Sequence, residues 1–419
     1  MSISLCSLLV MFVSEQYVFS ISLVCNSIPV CDIWDMKSSQ DVFMNHFVPS
    51  DVKNVNYRNV MLDKLDNPFF DAIPGHVKKI HIMYSKTLTT IVLPAQGNIS
   101  SFFISNTGVS RIEIDVRNVI VELSVDDGRL TTVPESISNL KESVKIMIEG
   151  CLIEALDMAA FCDLSKVQVI NLNANRIRHI HNSATKHCSA YDSLLMLTLS
   201  YNLLKKLNIE VFNPYGKMQL LQVKKNRLIA VTDRFESEAP LQLLLRHNKL
   251  KSTDFCRWNV PRMESLLLDF NEITTVHTCL SSLSNITKLT LAYNKIKNVT
   301  IDSFANMHSL VTLDLSFNDM KTIVLKSLQY PRSLRKLGLV SNNLTELDLS
   351  LVPVPSLEVD VHGNCIEHID LGSISSNVTS LDMGSNPVDC SWQNLEGRTN
   401  VTCEEYPKRK AECDVYSKK

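Results

Sequence analysis

The sequence predicts an α/β solenoid, in which a parallel concave β-sheet is built from one short unit repeated about fifteen times and closed at both ends by cysteines. Three observations predict it. Asparagine recurs at 175, 202, 226, 248, 271, 294, 318, 342, 364 and 386, in steps of 22–27 residues. The same apolar frame stands before each of these anchors, as in Met263, Leu266, Leu268, Asn271 and Ile273. Cys25 and Cys31 precede the array, and Cys390, Cys403 and Cys413 follow it.

The frame recurs cleanly at Val167, Ile170, Leu172, Asn175, Ile177 and at Leu194, Leu197, Leu199, Asn202, Leu204. It recurs again at Ile286, Leu289, Leu291, Asn294, Ile296, at Leu310, Leu313, Leu315, Asn318, Met320, and at Leu334, Leu337, Leu339, Asn342, Leu344. This is the L-x-x-L-x-L-x-x-N-x-L pattern, and the chain resembles the leucine-rich repeats, whose solenoids are horseshoes. Upstream the anchor place is held by Cys151, Gly128, Thr107, Ser85 and Val60. Alternation of apolar and polar residues buries one face of a short strand in each turn. The anchor amide carries donors and an acceptor, so it can satisfy turn backbone that is buried with it. Short helices or 3₁₀ turns are expected on the convex side at 157–162 and 302–307. Pro214, Pro261, Pro331 and Pro353 fall in these return segments, where they break no ladder hydrogen bond. Leu357 stands one position late relative to Asn364, which predicts a bulge or a shortened convex segment there.

A chain of 419 residues would ordinarily divide into two or three domains. A solenoid grows in one dimension, so that limit does not apply. The expected organisation is a signal peptide over 1–22, an N-terminal cysteine cap over 23–48, repeats over 49–388 and a C-terminal cysteine cap over 389–419. Residues 5–24 are mostly apolar but form two blocks too short to span a bilayer, which needs about 20 apolar residues. Ser20 and Ser22 suit a signal-peptidase site. Six N-x-S/T triplets, at Asn98, Asn285, Asn298, Asn343, Asn377 and Asn400, agree with a secreted, extracellular glycoprotein. Net charge is −2, which gives no reason to expect nucleic acid or an anionic membrane as partner.

The caps resemble those of extracellular repeat proteins: Cys25 with Cys31 ahead of the array, and the segment from Asn386 through Cys390 and Trp392 behind it. That resemblance implies a bridge from Cys390 to Cys413 or to Cys403. Cys256 and Cys279 are in phase with the repeat, and Cys162 and Cys188 nearly so, so each pair either bridges adjacent turns or stays as separate buried thiols. Cys151 fills an anchor place and reads as a buried free thiol. The mature cysteine count is odd, which leaves Cys365, Cys403 or Cys413 as a free or interchain thiol, and a disulfide-linked or weak oligomer as an option.

No catalytic motif is present, and an enzyme is not expected. His179, His181, His187 and Cys188 form the densest group of metal-ligand types. Alternation along a strand sends the first two to opposite sides, so neither a metal nor a cofactor is expected. The working surface is the concave face, at positions six, four, two and one before each anchor. Lys224, Lys225, Arg246 and His247 read as a basic patch, followed by Asp269. Phe270, Tyr293 and Phe317 occupy the place before the anchor, and Asp314, Glu358, Asp360 and Asp382 make the C-terminal third acidic. Such a face can orient a protein partner.

The whole pattern resembles the secreted leucine-rich-repeat immune proteins of mosquitoes. That resemblance implies a non-catalytic recognition scaffold in innate immunity, with a complement-like or microbial-surface ligand. Long members of that group continue into a coiled coil. This chain ends about 30 residues after its last turn, so it corresponds to a form without the coil. A cell-surface receptor or adhesion ectodomain, or a protein inhibitor, are the alternative roles.

Overall fold

The computed structural model describes residues 6–14, 17–25, 30–95, 97–252, 254–276, 279, 283–391, 401–404 and 413. The chain forms two compact units, Met1–Leu203 and Leu204–Lys419.

In the first unit seven strands run parallel in one ladder after Val30–Trp34: Asn54–Arg58, Lys79–Met83, Ser101–Ser105, Glu122–Asp126, Lys145–Glu149, Val169–Asn171 and Met196–Thr198. Register is strict: Val55, Ile80, Phe102, Leu123, Ile146, Ile170 and Leu197 stand side by side. All seven are buried, while their strand neighbours, apart from buried Thr198, are half-exposed or exposed. A one-residue slip would turn every buried side chain outward, so the apolar frame itself sets the register. Ahead of this ladder, Cys6–Ser14 and Tyr17–Cys25 form an antiparallel hairpin, and Tyr17–Cys25 pairs antiparallel with Val30–Trp34. The Cys25–Cys31 bridge joins the two partners of that last pair.

The second unit repeats the design. Its ladder places Leu221, Leu243, Leu266, Leu289, Leu313, Leu337, Val359, Leu381 and Val401 side by side. Register slips once, between Leu357 and Glu358, where Val378 and Ser380 are the successive partners. This is the bulge expected from the late Leu357. The convex returns contain 3₁₀ turns at Met158–Phe161, Ile209–Phe212 and Ile301–Phe304. Each buries a phenylalanine (Phe161, Phe212, Phe304), and full burial of such a ring contributes about 2–3 kcal/mol.

Every turn is closed in one way. The residue before each anchor adopts a left-handed backbone, with φ between 51° and 70°, from Asn59 through Ser385. The weak upstream anchors are included: Asn59, Tyr84, Asn106, Asp127 and Gly150 precede Val60, Ser85, Thr107, Gly128 and Cys151. Asp35 has φ 65°, so residues 30–36 already follow the turn geometry. The anchor asparagines then tie turn to turn. Asn271 Nδ2 donates to the carbonyls of Leu245, Leu268 and Asp269, and its Oδ1 accepts from Leu250 N. Asn202, Asn248, Asn294, Asn318 and Asn342 repeat that pattern.

The bridges are Cys25–Cys31, Cys162–Cys188, Cys256–Cys279, Cys365–Cys413 and Cys390–Cys403. Of the two partners considered for Cys390, the structure takes Cys403, and Cys413 reaches back to Cys365 beside the anchor Asn364. Cys365, Cys403 and Cys413 are therefore all paired within the chain, which corrects the expectation that one of them is free. Among the residues whose side chains are described, the unpaired cysteine is Cys151, and burial pushes its thiol up to about 11.

Candidate recognition face

In the second unit the place before the anchor is held on four successive turns by His247, Phe270, Tyr293 and Phe317. Their rings stack face to face. Centroids are 4.2, 4.1 and 4.1 Å apart and the planes tilt by 11°, 9° and 6°. Free aromatic pairs prefer wider or offset arrangements. Here the sheet ladder, with its strand spacing of about 4.8 Å, sets the separation. The rings remain outside the core: Phe270, Tyr293 and Phe317 keep 36%, 41% and 37% of their surface exposed. Left-handed backbone costs a bulky residue about 1–2 kcal/mol. It is held by hydrogen bonds to the next turn, as from Phe270 N to Ala292 O at 2.9 Å and Tyr293 N to Ser316 O at 3.0 Å.

The predicted basic patch takes a different form. Arg246 Nε lies 2.7 Å from Asp269 Oδ2, and Asp269 is almost fully buried beneath it. Thr290 Oγ1 donates to the same carboxylate at 2.6 Å. Asp269 is thus a support for Arg246 and not an exposed contact. Burial holds the His247 imidazole below its ordinary value, and the nearby charges of Lys225 and Arg246 push it the same way. This shift favours the neutral ring, and the stacking on Phe270 places His247 in the aromatic column. The positive end of the face comes down to half-buried Lys224, exposed Lys225 and the partly neutralised Arg246. Sequence reasoning missed this arrangement because the partners come from different turns.

Beyond Phe317 the face is acidic. Asp314, Asp360 and Asp382 line one recess of about 510 Å³, together with Ser316, Gly338 and Val340. Glu358 is tied to Lys336 at 3.2 Å. Burial raises the Asp360 carboxyl above the usual carboxylate range, and repulsion from Asp382 and Asp314 adds to this.

The remaining candidates lie elsewhere. His181 Nε2 is 3.4 Å from Asp157 Oδ2, and His187 Nε2 is 2.8 Å from Asp192 Oδ2. With Cys188 bonded to Cys162, this histidine-rich segment brings no ligand set together. Asp254, Cys256 and Cys279 do converge, but both sulfurs belong to a disulfide. In the first unit His81 Nε2 sits 2.8 Å from Ser105 Oγ, a pairing that spacing did not reveal. Burial holds the His81 imidazole below its ordinary value, and the nearby charges of Lys79 and Arg58 push it the same way. Of the sequon asparagines, Asn98, Asn285 and Asn298 are exposed and Asn343 and Asn377 half-buried. Asn400 and Trp392 lie outside the described residues.

Residues 261–320 and 284–344 match the leucine rich repeat family. The fold is a leucine-rich-repeat solenoid. Osteomodulin of Bos taurus is 22% identical over 253 residues, covering 58% of this chain and 53% of that protein. The chain thus spans about half the length of that curated relative. Among solved structures, a chain of the LRIM1/APL1C complex is 17% identical at TM-score 0.57, covering 92% of this chain and 71% of its own. The APL1B leucine-rich repeat domain is 18% identical at TM-score 0.51, covering 88% and 92%. A chain of the Drosophila Toll–Spatzle complex is 17% identical at TM-score 0.58, covering 87% and 59%. At such identities the shared property is the leucine-rich-repeat fold. No helix among the described residues is long and apolar enough to cross a membrane.

Proposed function

We propose that this protein is a secreted, non-catalytic recognition scaffold that binds a protein partner on the concave face of residues 204–419, and that it serves innate immunity. One observation carries the reading: four stacked rings stand exposed on a sheet face, with lysines on one side and carboxylates on the other. Exposed aromatics backed by a rigid sheet are typical hot-spot anchors, and a bipolar charge pattern orients the incoming partner. Several features support an extracellular setting. Disulfides persist in oxidising compartments, and five form among the described residues. The described sequon asparagines of the second unit, Asn285, Asn298, Asn343 and Asn377, occupy repeat positions other than the place before the anchor that holds the rings. Residues 1–22 are proposed as the export signal, whose cleavage leaves the Cys25–Cys31 bridge at the new end. The immune role rests on the resemblance to mosquito leucine-rich-repeat immune proteins and on neighbours such as the LRIM1/APL1C complex.

The test is capture from extracellular fluid by the immobilised full chain. One variant carries Phe270→Ala with Tyr293→Ala, and another carries Lys224→Glu, Lys225→Glu and Arg246→Glu. The expected result is a discrete set of proteins held by the wild type and lost from the aromatic variant, with weaker, more salt-sensitive capture by the charge variant. Identical capture by all three proteins would overturn the concave-face reading.

A further inference from the structure

The aromatic column stops at Phe317. Its next three places are Ser341, Gly363 and Ser385. Tyr293 covers one face of the Phe317 ring, and no ring among the described residues stacks on the other. The sheet is thinned at the same turn. Gly338 stands between Asp314 and Asp360 in the row four before the anchors. A Cβ at Gly338 would come within 2.8 Å of Asp314 Oδ1 and 3.0 Å of Ser316 Oγ, so the missing side chain is what opens the recess. The two features adjoin along the chain. Ser316 and Val340 line the recess, and the next residues are Phe317 and Ser341. Asp314, Asp360 and Asp382 each accept one backbone N–H, from Ser316, His362 and Gly384. Lys336, the cation in this lining, is drawn to Glu358. Three carboxylates thus face one space, with His362 acting on Asp360 there.

We propose that the C-terminal half of this face receives a partner segment that presents an aromatic side chain next to an arginine or lysine. The partner's ring extends the stack on the open face of Phe317, above Ser341. Its cation enters the recess over Gly338 and meets Asp314, Asp360 and Asp382. The inference rests on the concave-face reading above and names the side chains that such a partner must supply. Charge complementarity selects the cation, and the end of a four-ring stack selects the ring. An acidic or purely aliphatic segment satisfies only one half of the niche or neither.

The experiment uses four cyclic peptides on one scaffold that display Trp-Arg, Trp-Glu, Ala-Arg and Ala-Glu. Binding to the full chain is followed by fluorescence anisotropy. The Trp-Arg peptide is expected to bind about tenfold more tightly than Trp-Glu or Ala-Arg, the scale of one desolvated stacking or cationic contact, and more tightly still than Ala-Glu. Gly338→Leu, which fills the recess, is expected to abolish that preference. Asp360→Asn with Asp382→Asn should remove the arginine preference alone, and Phe317→Ala the tryptophan preference alone. Circular dichroism checks each fold, and the Asn variants, which keep side-chain volume, stand in if Gly338→Leu does not fold. Equal binding of all four peptides overturns the proposal, as does unchanged Trp-Arg binding by folded Gly338→Leu. The two readings separate in the capture assay. Capture lost with Tyr293→Ala but kept with Gly338→Leu sinks the niche and leaves the concave face standing. A Trp-Arg preference without any captured extracellular protein keeps the niche and sinks the functional reading.

Discussion

The anchor asparagine gathers several buried hydrogen bonds onto one side chain. Asn271 serves three carbonyls and one N–H, all in the buried interior of two successive turns. An alanine there orphans the buried N–H of Leu250, at about 1–3 kcal/mol, and removes one bond from each of the three carbonyls, which keep Asn248 Nδ2, Asn294 Nδ2 and His247 N as donors. Asn271→Ala is therefore expected to lower stability by about 2–4 kcal/mol, read as a shift in the urea midpoint. Asp360 shows the opposite case, a residue whose charge the fold tolerates poorly. Its carboxyl is raised by burial first and by Asp382 and Asp314 after that. A carboxyl raised in the folded state favours the protonated form, so its ionised form subtracts stability at neutral pH, and the loss is relieved as pH falls into the carboxylate range. Asp360→Asn should raise Tm at pH 7, and the gap from wild type should shrink on acidification. An unchanged or lowered Tm at pH 7 would show that the recess does not strain this carboxylate.

At the scale of elements, each turn has a strand that pairs and a return segment that must fold back over a ring such as Phe304. The return segments have few hydrogen bonds of their own, and disulfides reinforce two of them. Cys256 and Cys279 are separated by 23 residues, about one repeat, so their bridge closes a single turn. A loop of that size is stabilised by about 3 kcal/mol in the chain-entropy account. Replacing both cysteines by serine should cost that order of stability and raise proteolysis in the 252–283 region first. The aromatic stack is also an element, formed across strands and not along one. Each ring is positioned by its own turn, Phe270 and Tyr293 are braced by two neighbours and His247 and Phe317 by one, and this stiffens a column that would otherwise be four independent exposed side chains.

For the molecule as a whole, what matters is that contacts run from turn to turn. Each strand of either ladder pairs with its immediate neighbours, so a defect has no direct route beyond the adjoining turns. Native-state hydrogen exchange on Asn271→Ala is expected to lose protection across 243–290 and to keep it across 357–382. Uniform loss through both segments would mean that the second unit melts as one block. The same architecture explains why recognition sits comfortably on it. Side chains at equivalent places in successive turns form straight columns, and a column of rings or of carboxylates is a ready-made surface.

Most of the fold was legible because it is periodic. The buried leucines, the asparagine anchors and the late Leu357 with its bulge all follow from local spacing and from the need to bury one strand face. Even the degenerate turns around Val60, Ser85, Thr107, Gly128 and Cys151 keep the frame, and the structure gives each the same left-handed residue before the anchor. Cysteine phase left Cys162 with Cys188 and Cys256 with Cys279 open between bridges and separate thiols, and the cap resemblance left the partner of Cys390 open, since nothing local ranks Cys403 against Cys413. The site was less legible. Phe270, Tyr293 and Phe317 were visible as residues, and their stack was not, because rings 23 or 24 places apart meet only once the ladder has set their register. Arg246 read as a free cation until Asp269, one turn later, was found beneath it. Sequence alone determined the solenoid, its turns and the apolar frame that each strand buries, since these depend on a period. Tertiary structure decided which outward residues touch, which charges cancel and where the surface is hollow, since these depend on distances between turns that no period encodes.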